Sequence, residues 1–426
     1  MSWKNYAALS ERIYRKTLAN GLQVVVVPRA GFTKKLAYFV TDFGAIDLSF
    51  TLDGEQVELP MGTAHYLEHK LFDMPDFDVS ARFAALGASV NAFTSYDMTA
   101  YYFLCTEHFE ENLSLLLHFV STPYFTEESV QKEQGIIGQE IGMNTDNPDT
   151  RIFESLMQSM YENHPIRNPI LGTVESIAKI TPQVLKAAHK AFYRPENMLL
   201  CVVGDVDGEA VCRIAEEALP ESQPVQVERQ TDFPEKISCQ EDSIACKMDV
   251  AMPTFQLGFK CEAPQYGEEG VRQEMVADLA AELLFGESSA LYLQMYQEGL
   301  IDSSFGGGFE TIKNMGVLTA SGDSFDAFAV RDRILAEAQR MLAEGLDEKA
   351  FHRIKRSTLG RRMGDLDSFD SLCFRTCAYH FSGYDYFDFP ALYGDIQSEE
   401  VAQFIRKVVT PERCCVSVIY PNTQEV

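Results

Sequence analysis

Gly62-Thr63-Ala64-His65-Tyr66-Leu67-Glu68-His69-Lys70-Leu71-Phe72 places two histidines four residues apart, with a glutamate between them. On a helix, positions i and i+4 share a face and i+3 lies beside them. His65 and His69 can then offer two imidazole nitrogens to one metal ion, with Glu68 next to that ion and free of it. Two neutral imidazoles plus a carboxylate suit zinc, whose catalytic sites use three protein ligands and leave one position for water. A neighbouring glutamate can take the proton of that water. The order His-x-x-Glu-His is the inverted form of the zinc motif. The competing reading is a surface helix with solvated histidines, so the surrounding chain has to carry the argument.

On the N-terminal side, Leu22 to Pro28 is a β-branched run after Asn20-Gly21 and reads as a strand. Ala37 to Leu48 reads as another strand, and the polar residues 53–60, ending at Pro60, as the loop before the motif helix. On the C-terminal side, a helix over Val79 to Leu86 stops at Gly87. Ser89 to Ser95 and Thr99 to Cys105 are strands rich in aromatic and β-branched residues. Residues 108–121 have helical spacing of Phe109, Leu113, Leu116, Leu117 and Val120, and His118 is expected at the core or its boundary. Thr126-Glu127-Glu128 opens a further helix running to about Met143. Glu133 and Glu140 lie two turns apart on one face of it, beside Ile136, Ile137 and Ile141. Acidic side chains on a half-buried helix need a positive counterpart, and a zinc ion would be one.

The chain of 426 residues, 46% hydrophobic, is long enough for two domains with substantial cores. Its net charge of −27 argues against nucleic acid as a partner and favours neutral or basic substrates. No apolar run reaches membrane-spanning length. The N-terminus has no signal-peptide pattern, and the ten scattered cysteines read as reduced thiols, mostly buried. The expected setting is cytoplasmic, with no membrane association. Phe305 to Phe309 is glycine-rich without a phosphate-loop lysine, and is expected to be a loop or a strand edge.

An internal repeat sets the architecture. Ile180-Thr181-Pro182, followed by Pro195-Glu196-Asn197 and the strand Met198 to Gly204, has a counterpart 216 residues later. There Ile396-Gln397-Ser398 is followed by Pro411-Glu412-Arg413 and the strand Cys414 to Ile419. The expected fold is α+β, with two similar domains, each a mixed sheet flanked by helices. Residues 1–218 form the metal-bearing domain, 219–245 a proline-containing linker and 246–426 a domain without the motif.

With these signals in hand, the sequence resembles the pitrilysin/insulinase family of zinc metallopeptidases. It is most similar to the shorter bacterial processing peptidases related to the mitochondrial processing peptidase β subunit. The resemblance rests on the His65–His69 motif with Gly62, on Asn91-Ala92-Phe93-Thr94-Ser95, on Thr99 to Phe103, on Glu133 and Glu140, and on Gly172 to Ile177. It implies a clamshell closing around a peptide. It makes His65, His69 and Glu140 the zinc ligands, Glu68 the general base, and Glu133 a residue that orients a ligand histidine. The strand of Asn91, Ala92 and Phe93 would bind substrate along its edge. The interval from His69 to Glu140 is shorter than is usual in the family, which keeps Glu133 open as the alternative ligand. The Arg and Tyr that hold the substrate in the family are missing from Gly316 to Asp323, and Arg375, Tyr379 and Tyr384 fit that place poorly. The resemblance therefore implies a zinc endopeptidase for short or unfolded peptides, acting as a homodimer or as a heterodimer with a related chain lacking the motif. The alternative is a non-proteolytic subunit that keeps the fold.

Overall fold

The computed structural model describes residues 3–219 and 225–422. The first half opens with strands β1 (Trp3–Tyr6), β2 (Glu11–Thr17), β3 (Gln23–Pro28) and β4 (Lys35–Thr41), followed by a short hairpin, β5 (Ser49–Leu52) and β6 (Glu55–Glu58). Helices α1 (Thr63–Leu71) and α2 (Val79–Ala85) lead into β7 (Ala88–Thr94) and β8 (Thr99–Cys105). Then come α3 (Phe109–Ser121), α4 (Glu127–Thr145), α5 (Pro148–Met160), the short α6 (Val174–Ile177), α7 (Pro182–Phe192), β9 (Met198–Gly204) and α8 (Gly208–Ala218). After β10 (Val227–Arg229), the second half runs β11 (Ser243–Met248), β12 (Thr254–Lys260), α9 (Glu268–Phe285), α10 (Ala290–Gln297), β13 (Gly306–Ile312) and β14 (Met315–Asp323). It ends with α11 (Ala327–Glu344), α12 (Glu348–Gly364), α13 (Phe369–Phe381), α14 (Phe389–Asp395), α15 (Ser398–Val408) and β15 (Cys414–Pro421).

The two large sheets repeat one topology. The first has the order β1-β2-β3-β9-β4-β8-β7 and the second β11-β15-β12-β14-β13. In each, the last strand of the half pairs in parallel with the first strand of the shared pattern (β3 with β9, β11 with β15) and antiparallel with the next. A Pro-initiated 3-10 turn precedes both terminal strands, Pro195–Asn197 and Pro411–Arg413. The α+β repeat is thus a repeat of the whole unit, with α1 answering to α9, α4 to α12 and α5 to α13. Each half ends its sheet on an edge strand, β7 or β13, so the glycine-rich 306–308 stretch is a sheet edge.

The halves exchange helices. From the second half, α13 packs on β9 and β4 of the first sheet, and from the first half α5 packs on β15, β12 and β11 of the second. One continuous apolar core includes Val25, Tyr38 and Cys201 together with Leu257, Leu279 and Cys373. The expected clamshell is therefore closed over an apolar core rather than open around a space. The opposite face of the first sheet, with Val26, Phe39 and Phe103, carries α1, α3, α4, α7 and α8. Polar contacts also join the halves. Lys313 Nζ reaches Asp42 at 3.0 Å and Asp47 at 3.1 Å, and Arg15 reaches Asp385 at 2.6 Å.

Four local expectations need correction. The strand expected to Leu48 ends at Thr41, because residues 42–48 fold back onto the β7–β8 turn, with Ala45 and Ile46 N–H bonded to the Ser95 and Tyr96 carbonyls. Gly44 permits that approach, since a Cβ there would lie 2.4 Å from the Asp97 nitrogen. Residues 53–60 are not simply a loop: they include β6, and β5 also pairs with β10. Within the expected linker, β10 thus returns to the first half, while Pro220 and Pro224 lie outside the described residues. His118 is exposed, on the outward face of α3 with Glu111 and Ser114. All ten cysteines are free and eight are buried.

Candidate metal centre

Helix α1 is fixed first at its start. Gly62 has φ of +89° and lies so close to the chain that a Cβ would sit 2.4 Å from the Leu171 carbonyl oxygen. Gly172, with φ of +72°, packs in return against Met61. The Ser176 hydroxyl donates to the Met61 carbonyl at 2.8 Å, and Thr173 and Ser176 form a capping box on α6. This is the physical content of the Gly172 to Ile177 signature: it clamps the entry to the motif helix. Nearly all of α1 is then buried, including His65, Glu68 and Lys70. The Lys70 ammonium is neutralised by Asp73 at 2.5 Å.

Helix α4 crosses α1 and brings its two acids to the histidines. The Tyr66 hydroxyl donates to the Val130 carbonyl, tying the two helices together. Glu140 Oε1 lies 3.6 Å from His65 Nε2, and Oε2 lies 3.5 Å from His69 Nε2. Glu133 Oε1 meets the other ring nitrogen, His69 Nδ1, at 3.0 Å. The two acids therefore occupy different places: Glu140 spans both Nε2 atoms, and Glu133 braces the back of one imidazole. Donors held about 2.0–2.1 Å from a tetrahedral ion are themselves about 3.4 Å apart. The observed separations are close to that and are long for hydrogen bonds. Among the described residues, His65, His69 and Glu140 are the one group of three or more His, Cys, Asp or Glu side chains whose donor atoms lie within 4.8 Å of one another. The donor set and its spacing fit a zinc-sized ion.

Glu68 is buried, and its Oε2 accepts a hydrogen bond from the Thr94 hydroxyl at 2.5 Å. Burial pushes its carboxyl above the usual range, although Thr94 and the two histidines pull the other way. Burial opposes charge on His69, but the Glu133 hydrogen bond and the Glu68 and Glu140 carboxylates outweigh it and raise its pKa. The His65 imidazole facing it lowers that of Glu140. Such a site binds a proton more readily than a free imidazole does, so metal and protons compete for it.

Edge strand β7 runs beside this centre. It pairs with β8 alone, and among the described residues nothing pairs with its outer side. Ala92 and Thr94 lie on the face toward α1, while Phe93 packs behind the sheet against Phe374, with ring centroids 6.0 Å apart. Asn91 is exposed, and its side chain bonds the Ala92 N–H. Of the three residues expected to bind substrate, only Ala92 turns its side chain toward the centre. What the strand offers is its edge backbone. The hydroxyl of Thr94, two residues on from Ala92, was missed by the sequence reading; strand alternation puts it on the same face. A cavity of about 850 Å³, lined by Met61, Ile141, Asn144, Phe153 and Arg167 among others, adjoins the start of α1 and the turn of α4 after Glu140.

The corresponding place in the second half carries the opposite chemistry. Glu274 and Asp278 stand four apart on α9, and Arg362 of α12 reaches both at 2.9 Å. Tyr379 of α13 completes the cluster by bonding Arg362 and Glu274. Burial pushes Asp278 up to about 7, and Glu274 adds to the effect. A guanidinium is the cation of this cluster, and among the described residues no histidine joins Arg362 and Tyr379 on the two acids. Arg375 pairs with Asp365 at 3.1 Å. Neither Arg375 nor Tyr379 reaches the metal face, because α13 lies on the other side of the first sheet.

Fold and site together define an α+β repeat protein with an inverted His-x-x-Glu-His helix in one half only. Residues 55–174 match the family model described as insulinase (peptidase family M16), and residues 179–358 match that of the peptidase M16 inactive domain. An uncharacterized zinc protease of Bacillus subtilis, YmfH, is 36% identical over 98% of this chain and 99% of its own length. The chain belongs to peptidase family M16. A crystal structure described as an M16-like peptidase from Alicyclobacillus acidocaldarius superposes with a TM-score of 0.93 at 32% identity, covering 99% of both chains. A Helicobacter pylori protease shares the fold, with a TM-score of 0.83 at 18% identity over 96% of this chain and all of that one. Among the described residues no helix is long and apolar enough to cross a membrane.

Proposed function

We propose that this chain is a zinc endopeptidase for short or unfolded peptides. The observation that carries the reading is the Glu140 carboxylate spanning the Nε2 atoms of His65 and His69, with the buried Glu68 alongside. Zinc held by His65, His69 and Glu140 would supply Lewis acidity, polarising the scissile carbonyl and lowering the pKa of its water to about 7. Glu133 holds His69 by its Nδ1, which sets the orientation of that ring. Thr94 holds one oxygen of Glu68 and leaves the other to take a proton from the attacking water. Glu68 then passes the proton to the leaving amine. The peptide lies along β7 as an added strand, with backbone hydrogen bonds giving affinity. Substrates must be extended to bind in this way, which excludes folded proteins.

The reading includes a second subunit. The second half of this chain packs behind the first sheet, and on this reading another molecule closes the space in front of the metal face. A homodimer would enclose the peptide, and a heterodimer with a related chain lacking the motif would in addition supply the Arg and Tyr. The test is hydrolysis of an unstructured peptide by the zinc-loaded chain, alone and with candidate partners. Zinc-dependent cleavage that rises in kcat/KM on adding the partner supports the reading. Full zinc with no cleavage under any pairing favours a non-proteolytic subunit.

A further inference from the structure

Helix α4 carries both acids of the centre yet is weakly held. It is 19 residues long and fully buries only Val130 and Ile137. Three glycines, Gly135, Gly138 and Gly142, interrupt its central and C-terminal turns. None has a positive φ, and a Cβ built on any of them meets no atom within 4 Å. Packing does not require these glycines, and alanine would fit at each. Glycine inside a helix is less favourable than alanine, because more backbone freedom is lost on ordering. Beyond Ile137, Ile141, partly buried on the first-half core, and Glu140 at the histidines tie the helix to the body. Both ends are pinned. Tyr66 holds Val130, and α5 starts directly after the Asn147 cap.

We propose that the three glycines leave residues 135–145 incompletely ordered until the metal is bound, so that ion and helix order together and metal affinity is held down. The proposal rests on zinc being the ion of this centre. Binding that must order a segment is weakened by the cost of ordering it, and pre-ordering recovers that cost. Gly135→Ala, Gly138→Ala and Gly142→Ala together should therefore tighten zinc binding by roughly ten- to a hundredfold, from the helix preference of alanine at three positions.

The test uses the full chain and two readouts: amide hydrogen exchange over α4 with and without zinc, and zinc affinity by competition with a chromogenic chelator. In wild type, zinc should slow exchange at residues 135–145. In the triple variant, that stretch should be protected without zinc and affinity should rise. A simple gain in helix stability would raise the melting temperature and leave zinc affinity unchanged, which overturns the proposal. So does equal protection of wild-type α4 with and without zinc. The single variant Gly142→Ala serves if the triple variant does not fold, with a severalfold gain expected. A wild-type chain that binds no zinc would overturn the metal assignment and this inference with it. Normal zinc binding with no change at α4 overturns the inference alone.

Discussion

The chemistry comes down to the placing of a few atoms. Glu68 has one oxygen committed to Thr94 and sits buried beside the two histidines. Glu68→Gln should keep its zinc and lose hydrolysis by ~10²–10⁴, since the amide fills the same space but cannot accept the proton; near-normal turnover would exclude Glu68 as the base. Thr94→Val should lower kcat roughly tenfold or more, because a hydrogen bond to a charged group is lost. Zinc content and KM should stay as in wild type, and Thr94→Ser should restore turnover. A Ser variant as slow as the Val variant would show that packing, not the hydroxyl, matters there. Glu133→Gln keeps a group able to bond His69 Nδ1, so it should lose less metal than Glu140→Gln, which removes a ligand.

At the scale of elements, the motif helix, the β7–β8 pair and α4 were legible, because each carries its own periodicity and boundary signals. Gly62, Pro60 and Gly87 punctuate that region, and Glu133 and Glu140 share one face of α4 whatever the tertiary context. The choice between those two acids was not legible, since helical spacing fixes a shared face and not which turn meets which nitrogen. His118 misled because it lies in an apolar run, yet it sits four residues after Ser114 on the outward face of α3. The N-terminal hairpin β1–β2 went unread, being short, charged and dependent on distant partners. Its anchor is Asp385, bonded by Lys4 at 3.0 Å, Tyr6 at 2.5 Å and Arg15 at 2.6 Å. Burial alone would push Asp385 up, but Arg15, Tyr6 and Lys4 outweigh it and hold its pKa below the usual value. A depressed carboxylate pKa contributes stability that is present above the unfolded value of about 3.9 and lost as pH falls through the folded one. Asp385→Asn should therefore cost about 1.5–3 kcal/mol in urea unfolding at pH 7. The gap to wild type should shrink below about pH 4. A gap that stays constant to pH 3 would show that charge plays no part in this anchor.

For the whole molecule, the repeat was readable because terminal strands and their Pro-Glu turns recur at a fixed offset. The exchange of α5 and α13 between halves was not, since it depends on contacts between residues far apart in the chain. That exchange places one half behind the other's sheet and leaves β7 and the metal face looking outward. On the proposal that a second subunit encloses the peptide, light scattering should report a dimer in the active preparation, and full activity from a strict monomer would contradict the need for a partner. The central claim is that His65, His69 and Glu140 hold one zinc ion beside Glu68. Its most direct test is zinc per chain by mass spectrometry in wild type, Glu68→Gln and Glu140→Gln, purified alike. The account predicts about one zinc in the first two, from a single three-ligand site, and far less in the third; no zinc in wild type, or as much in Glu140→Gln as in wild type, would contradict it.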